Sequence, residues 1–227
     1  MTARALPVIA IDGPAGAGKS TVAQHLARRF GLLNLETGAM YRAFALKALL
    51  SGTDVNDESA LMALSASTRI MLEPTSAGNR VQLDDADVTT RIREADVTAA
   101  ASRVSVHPRV REWMVAQQRL LGAAGGVVME GRDIGTAVFP DAEVKIFLDA
   151  AAEVRGNRRF LQSPAASASQ QETILRELRE RDARDRNRVE SPLRAADDSI
   201  HIDSTALTLD QVLARAEQIV RERSRLK

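Results

Sequence analysis

The 227-residue sequence predicts an α/β fold built on a parallel sheet, and three patterns support this prediction. Short apolar runs without polar alternation recur along the chain, as buried parallel strands require. Helical patterns separate these runs, so strands and helices alternate. A glycine-rich segment connects the first run to the first helix, which is typical of the opening of a βαβ unit.

Five runs of this kind are predicted to form the sheet. The first stops at Asp12 and Gly13, and the third follows Gly125 and Gly126. Their continuous apolar character suits strands that are covered on both faces. The predicted strands are Pro7–Ile11, Leu32–Leu35, Val127–Met129, Val144–Leu148 and Ser199–Asp203.

Helices are predicted where apolar residues recur every three or four positions. In the first helix this spacing brings Val22 and Leu26 to one face. Thr208 and Gln211 form a capping box that starts the last helix. The predicted helices are Lys19–Phe30, Gly38–Leu50, Glu58–Ser65, Arg91–Val104, Pro108–Leu121, Ala151–Leu161, Glu172–Arg188 and Thr208–Arg225.

Two segments differ from the α/β pattern. The runs Arg69–Glu73 and Arg80–Asp84 alternate apolar and polar residues, which predicts a small antiparallel hairpin inserted into the chain. The segment Ser163–Ser169 is rich in Pro, Ala and Ser and poor in large apolar residues. We expect it to form a mobile tip between two helices.

Composition excludes several classes of protein. The chain has no Cys, which rules out disulfides, zinc–thiolate sites and a cysteine nucleophile, and fits a cytoplasmic location. The net charge of +1 gives no general attraction to nucleic acid or to a membrane surface. No apolar run approaches the roughly 18 residues that span a bilayer. We therefore expect no nucleic acid and no membrane as partners.

Residues 13–20 read GPAGAGKS and fit the phosphate-loop (P-loop) pattern G-x-x-x-x-G-K-[ST], with a predicted strand before it and a helix after it. Backbone N–H groups of such a loop surround phosphate, and the helix dipole adds positive potential. Lys19 would reach the β and γ phosphates, and Ser20 would bind Mg²⁺. A dinucleotide fingerprint needs glycine where Thr21 stands, so the predicted nucleotide is ATP or GTP.

Two further groups of polar residues follow predicted strands, at the sheet edge where ligands bind. Thr37 and Arg42 follow the second strand and offer a hydroxyl and a guanidinium group. Glu130, Arg132 and Asp133 follow the third strand. Here Glu130 could orient the water around Mg²⁺, Arg132 could bind a phosphate, and Asp133 could accept a hydrogen bond from an amino group. A helix cap and a glycine turn are the alternative interpretations of these two segments.

A charged helical face is predicted near the end of the chain, formed by Arg181, Arg184, Asp185 and Arg188. Such a face could close over phosphates. Phosphoryl transfer needs positive charge of this kind, because the protein mainly positions the reactants and neutralises the equatorial oxygens. Without the P-loop, a solvated helix with internal salt bridges would be the simpler interpretation.

In this order, the segments GPAGAGKST, ETGAMYR, EGRDIGTAVFPDA and ERDARDRNR resemble those of bacterial cytidylate kinases, a family of nucleoside monophosphate kinases. The likeness extends over nearly the whole chain. It implies a P-loop three-layer αβα fold with a five-stranded parallel core sheet, an inserted monophosphate-binding lobe with a small antiparallel β element, and a short helical lid. A single kinase domain would cover residues 1–227, with the core at about 1–37, 106–153 and 191–227, the lobe at about 38–105 and the lid at about 154–190.

The resemblance also implies reversible transfer of the ATP γ-phosphoryl group to CMP or dCMP, with Mg²⁺ as cofactor, and we expect a monomer. Mg²⁺ would be bound directly by Ser20 and through water by Glu130. The catalytic residues would be Lys19, Arg132, Arg181 and Arg188. The ATP-binding residues would be Gly13, Pro14, Ala15, Gly16, Ala17, Gly18, Lys19, Ser20 and Thr21. The CMP-binding residues would be Thr37, Arg42, Ser102, Arg111, Arg132, Asp133, Arg181, Asp185 and Arg188.

Within that set, Ser102, Arg111 and Asp133 would contact the cytosine edge, and Asp185 would bind the ribose. Cytosine presents an amino donor beside two acceptors, which an acid together with a cation complements. Uracil has no amino group to offer Asp133, so we expect UMP to be a poorer acceptor.

Two features depart from the family pattern. Glu36 and Glu130 stand where aspartate is expected, and the lid tract lacks a basic tip, which leaves Arg155, Arg158 and Arg159 as candidates for lid contacts to ATP. Another small-acceptor kinase, acting on UMP, a deoxynucleotide or dephospho-coenzyme A, is the nearest alternative. A regulatory NTPase or an RNA-binding switch is the alternative from another class. The near-zero net charge, the seven aromatic residues and the mixing of Arg with Asp and Glu argue against it.

Overall fold

The computed structural model describes residues 4–75, 78–161 and 168–226. Strands and helices alternate along these residues. The strands are β1 (Val8–Asp12), β2 (Leu33–Glu36), β3 (Ile70–Thr75), β4 (Gly78–Leu83), β5 (Ala86–Asp87), β6 (Val127–Gly131), β7 (Val144–Asp149) and β8 (Ile200–Asp203). The helices are α1 (Lys19–Phe30), α2 (Thr37–Leu50), α3 (Glu58–Ser65), α4 (Ala95–Val104), α5 (Pro108–Gly122), α6 (Ala152–Leu161), α7 (Ala168–Asn187) and α8 (Leu209–Arg223).

The central sheet has five parallel strands in the order β2–β6–β1–β7–β8. Every residue of β1 is buried, as expected for a strand that is covered on both faces. Val8 and Ala10 face a core shared with α2, α4 and α5. Ile9 and Ile11 face the opposite core, which contains residues of α1 and α8. The predicted α/β fold with a five-stranded parallel sheet is therefore confirmed.

A separate antiparallel sheet pairs β3, β4 and β5. Its third strand is not predicted from the sequence, because it follows a tight turn in which Asp84 and Asp85 adopt positive φ angles of 48° and 71°. Asn79 joins this sheet to β2: its amide donates to the Asn34 carbonyl at 2.7 Å and accepts from the Glu36 N–H at 2.8 Å. The small sheet thereby contacts the strand whose end carries Glu36.

Two predicted helix starts are wrong by four residues. Helix α4 begins only at Ala95, because Glu94 is extended and a 3₁₀ turn, Arg91–Arg93, precedes it. Helix α7 begins at Ala168, so the last two residues of the predicted mobile tip are helical, and the others lie outside the described residues. A π-helical turn, Ile134–Val138, occupies a segment in which the sequence predicted no helix and for which a glycine turn was the alternative interpretation.

No helix in the described part of the chain is both long and apolar enough to cross a membrane.

Candidate active site

A cavity of about 800 Å³ opens at the carboxyl edge of the parallel sheet. The P-loop after β1, the ends of β2 and β6, and helices α6 and α7 contribute to its wall. The parallel topology brings these segments together, because the carboxyl ends of β1, β2 and β6 lie side by side. Predicted site residues that line the cavity are Ala15, Gly16, Ala17, Gly18, Lys19, Ser20, Thr21, Thr37, Arg42, Arg111, Glu130, Arg132, Asp133, Arg181, Asp185 and Arg188.

Glycine is required at both ends of the P-loop. Gly13 has a φ of 148°, and a Cβ atom there would lie 1.9 Å from the Leu148 carbonyl oxygen. Gly18 has a φ of 95° and directly precedes α1. The first helical residue, Lys19, is buried, and its Nζ donates to the Pro14 carbonyl at 2.8 Å. Burial, together with repulsion from Arg132, lowers the pKa of Lys19.

Two carboxylates face each other beside the P-loop. Glu36 and Glu130 are register partners on β2 and β6, and the Glu130 main chain accepts a hydrogen bond of 2.7 Å from Thr37 Oγ1. Burial, and then repulsion from Glu36, raises the pKa of Glu130, whose side chain accepts a hydrogen bond from Ser20. Glu130 Oε1 is buried and has no hydrogen-bond partner among the described residues. Hydroxyl and carboxylate oxygens of this kind fit Mg²⁺, which binds few protein ligands and retains several waters.

Arginine groups with unused hydrogen-bond donors surround the rest of the cavity. Unpaired buried donors are rare in folded proteins and call for a ligand. Burial, and then repulsion from Arg132, lowers the pKa of Arg181 to about 10. An anion in the cavity would satisfy these donors and relieve that repulsion. The buried arginine nitrogens without a hydrogen-bond partner in the described structure are Arg42 Nε, Arg111 Nε, Arg181 Nε and Arg188 Nη2.

A chain of five alternating charges runs along the cavity from Arg111 on α5 to Arg132, the residue after β6. Arg111 Nη2 lies 2.6 Å from Asp133, which lies 3.5 Å from Arg188. Arg188 in turn lies 3.9 Å from Asp185, which pairs with Arg132 Nε at 2.9 Å. Burial alone would raise the pKa of Asp185, but its neighbouring arginines lower it overall. Residues that the sequence predicts as substrate contacts thus hold one another in place.

Three predicted site residues lie outside the cavity wall as described. Gly13 and Pro14 belong to the P-loop but do not line the cavity, and Gly13 lies close to the Leu148 carbonyl. Ser102 is 5% exposed on α4, and its Oγ accepts a hydrogen bond of 3.1 Å from Arg184 Nε on α7.

The candidates for lid contacts to ATP divide into two groups. Arg155 lies outside the cavity wall: it pairs with Asp182 at 2.7 Å and donates to the Ala15 carbonyl at 3.0 Å, so it holds α6 and α7 against the P-loop. Arg158 and Arg159 do line the cavity. Arg155 is therefore better explained as a structural residue than as an ATP contact.

The sequence analysis assigns no role to Tyr41, which lines the cavity, or to Asp12, a buried acid at the end of β1 that does not line it. The Asp12 carboxylate accepts hydrogen bonds from the N–H groups of Ile134 and Gly135, at 2.8 and 2.7 Å, and burial raises its pKa to about 6. An acid that ends an apolar strand was the available signal. Tyr41 lines the cavity, and the Arg111 guanidinium lies 5.7 Å from its ring centroid. Burial raises the pKa of Tyr41 to about 12.

Comparison with known proteins gives the family of the chain independently of the cavity. Residues 9–222 match the family model described as cytidylate kinase. The chain is 50% identical over 216 residues to the cytidylate kinase of Geobacillus thermodenitrificans, covering 95% of this chain and 96% of the relative. It is 47% identical over 216 residues to that of Enterococcus faecalis, with the same coverage.

Among solved structures, shikimate kinase from Acinetobacter baumannii in complex with shikimate is similar over 96% of this chain and 93% of that chain, at 16% identity and a TM-score of 0.45. That distant likeness adds nothing to the assignment, which depends on the family model and the close sequence relatives. By both criteria, the chain belongs to the cytidylate kinase family.

Proposed function

We propose that the protein transfers the γ-phosphoryl group of ATP reversibly to CMP or dCMP, with Mg²⁺. The observation that carries this proposal is a single cavity in which a P-loop faces buried arginine donors that have no partner among the described residues. A donor triphosphate and an acceptor phosphate both need such groups, and in-line transfer needs them in one enclosed space.

The donor phosphates would lie on the P-loop. Its backbone N–H groups and the N-terminus of α1 provide positive electrostatic potential. Lys19 would move from the Pro14 carbonyl to the β and γ phosphates. Apolar side chains of Leu207 and Leu209 line the same cavity and offer a surface for the donor base. Arg158 and Arg159 would contact the donor from α6.

The cofactor would be held next to the donor phosphates. Ser20 would bind Mg²⁺ directly, and Glu130 would hold its water, with Glu36 as the neighbouring carboxylate. The bound ion supplies charge neutralisation at the phosphate oxygens. Glutamate instead of aspartate at both positions extends each carboxylate by one methylene.

The acceptor phosphate would take the free arginine donors. Arg42, Arg132 and Arg181 would neutralise the developing charge on the equatorial oxygens, and Arg188 would complete the set. Asp185 already has its carboxylate held by Arg132 at 2.9 Å and would accept hydrogen bonds from the ribose hydroxyls. No nucleophilic side chain is needed, because the acceptor phosphate is itself the nucleophile.

The acceptor base would lie against Tyr41, Arg111 and Asp133. Asp133 pairs with Arg111 at 2.6 Å and retains lone pairs for the amino group of cytosine. In UMP a carbonyl oxygen would face this carboxylate instead, so a buried acceptor would be left without a donor. The lobe, about residues 38–105, and the lid, about residues 154–190, would close around both nucleotides and exclude water, which competes as an acceptor.

The test is ADP release from Mg·ATP with CMP, dCMP, UMP, AMP, GMP or dTMP supplied one at a time, beside a reaction without acceptor. We expect release mainly with CMP and dCMP. Release that ignores the acceptor, or that requires RNA, would remove the kinase proposal and favour an NTPase or an RNA-dependent switch.

A further inference from the structure

Arg184 makes a contact between two helices that the chain separates by 82 residues. Its Nε donates to Ser102 Oγ at 3.1 Å, which joins α7 to α4. Ser102 is 5% exposed, whereas Arg184 is exposed apart from this contact. An exposed arginine side chain can adopt many conformations of similar energy in solvent. The hydrogen bond from Arg184 to a buried hydroxyl therefore distinguishes this residue from its helical neighbours.

The chemistry of this pair restricts where the Ser102 hydroxyl proton can point. Arginine can only donate, whereas a serine hydroxyl has one proton and two acceptor sites. When Arg184 fills one acceptor site of Ser102, the hydroxyl proton is directed toward another acceptor. The acceptor edge of cytosine, N3 and O2, is a partner of the required kind.

Ser102 lies next to the acceptor end of the cavity without lining it as described. Ala101, which precedes Ser102 on α4, and Ser105, the residue after the end of α4, both line the cavity. The Ser105 carbonyl accepts a hydrogen bond of 3.2 Å from Arg111 Nη1, and Arg111 pairs with Asp133. Arg188, the residue that follows α7, contacts the same group of residues at 3.5 Å from Asp133.

We infer that Arg184 is a positioning residue for the acceptor nucleotide: it orients the Ser102 hydroxyl as a donor to the base, and it thereby ties the lid helix α7 to the lobe helix α4. This inference rests on the proposed function, because it assigns Arg184 to the acceptor side of that cavity. Arg184 itself touches no reacting atom.

The test compares Arg184→Ala, Arg184→Lys, Ser102→Ala and the double variant, with Arg186→Ala as matched control. Arg186 lies on the same helix and its side chain is 51% exposed. We expect Arg184→Ala to raise KM for CMP about tenfold and to leave KM for ATP within about twofold of the parent value. Arg184→Lys should behave like Arg184→Ala, because lysine keeps the charge but has no Nε–H at this position. Arg186→Ala should match the parent.

The double variant decides whether Arg184 acts through Ser102. In the Ser102→Ala background, Arg184→Ala should change KM for CMP by less than about twofold. An undiminished effect there, an equal rise in KM for ATP, or parent-like behaviour of Arg184→Lys would overturn the inference. The parent protein is assayed first: absence of CMP phosphorylation would refute the proposed function, whereas normal CMP phosphorylation with an unaffected Arg184→Ala would refute only the role of Arg184.

Discussion

Arg111 and Asp133 form a buried ion pair of 2.6 Å at the end of the cavity proposed for the acceptor base. Each charge is more than nine-tenths buried, and Asp133 also faces Arg188 at 3.5 Å. Buried ion pairs add little net stability by themselves, because desolvation offsets the attraction. Their position in a binding cavity suits recognition, since the pairing holds the carboxylate in one orientation for a ligand.

Replacing Asp133 by Asn tests that recognition. An amide has the same shape and can donate to a carbonyl oxygen, so Asp133→Asn should lower the ratio of kcat/KM for CMP to that for UMP by about tenfold or more. Steady-state rates with both acceptors give the ratio, and thermal unfolding checks the fold, since Arg111 loses its charged partner. An unchanged ratio would assign base reading to other residues.

Removing the P-loop lysine should abolish most turnover. Lys19→Ala should lower kcat by about a hundredfold or more, because charge on the transferring phosphates loses its fixed cation. Lys47→Ala is the matched control: that side chain pairs with Asp84 on the antiparallel sheet, outside the cavity. Retained turnover in Lys19→Ala, with both variants folded, would contradict the P-loop assignment.

Glu130→Gln tests the cofactor site. The amide keeps the size of the side chain but removes the negative charge that would hold the Mg²⁺ water, so the Mg²⁺ concentration for half-maximal rate should rise several-fold. Glu153→Gln, on the exposed side of α6, serves as the control. A Mg²⁺ requirement that stays unchanged in Glu130→Gln would exclude this carboxylate from the cofactor site.

The sequence predicted the sheet and most of the cavity because these depend on local patterns. Five apolar runs define parallel strands, and parallel strands bring the segments after β1, β2 and β6 to one edge. The P-loop residues and the residues after β2 and β6 could therefore be placed without coordinates, whereas the arginines of α7 received their roles from the family resemblance.

The parts that were missed depend on contacts between distant segments. Nothing near Asp12 in the sequence shows that its carboxylate accepts from residues 134 and 135, and nothing near Arg155 shows that it pairs with Asp182 rather than with a nucleotide. The 3₁₀ turn before α4 was missed because a helical apolar period continues through it. Tertiary packing decides which side chains pair across the fold, and the periodicity of a sequence carries no information about these pairs.

Asp12 makes a contribution to stability that decreases as pH rises. Burial raises its pKa from the ordinary 3.8 to about 6, so the folded state binds a proton more tightly than the unfolded chain does. The stabilisation linked to this group is fully present below the ordinary pKa of 3.8 and is lost as pH rises through 6. Between pH 4 and pH 7 the free energy of unfolding of the parent should therefore fall by about 2.4 kcal/mol relative to Asp12→Asn, which does not titrate. Urea unfolding of both proteins across this range measures the difference, in which the other titrating groups cancel. Parallel curves would mean that Asp12 has an ordinary pKa, and that its two backbone hydrogen bonds fully offset its burial.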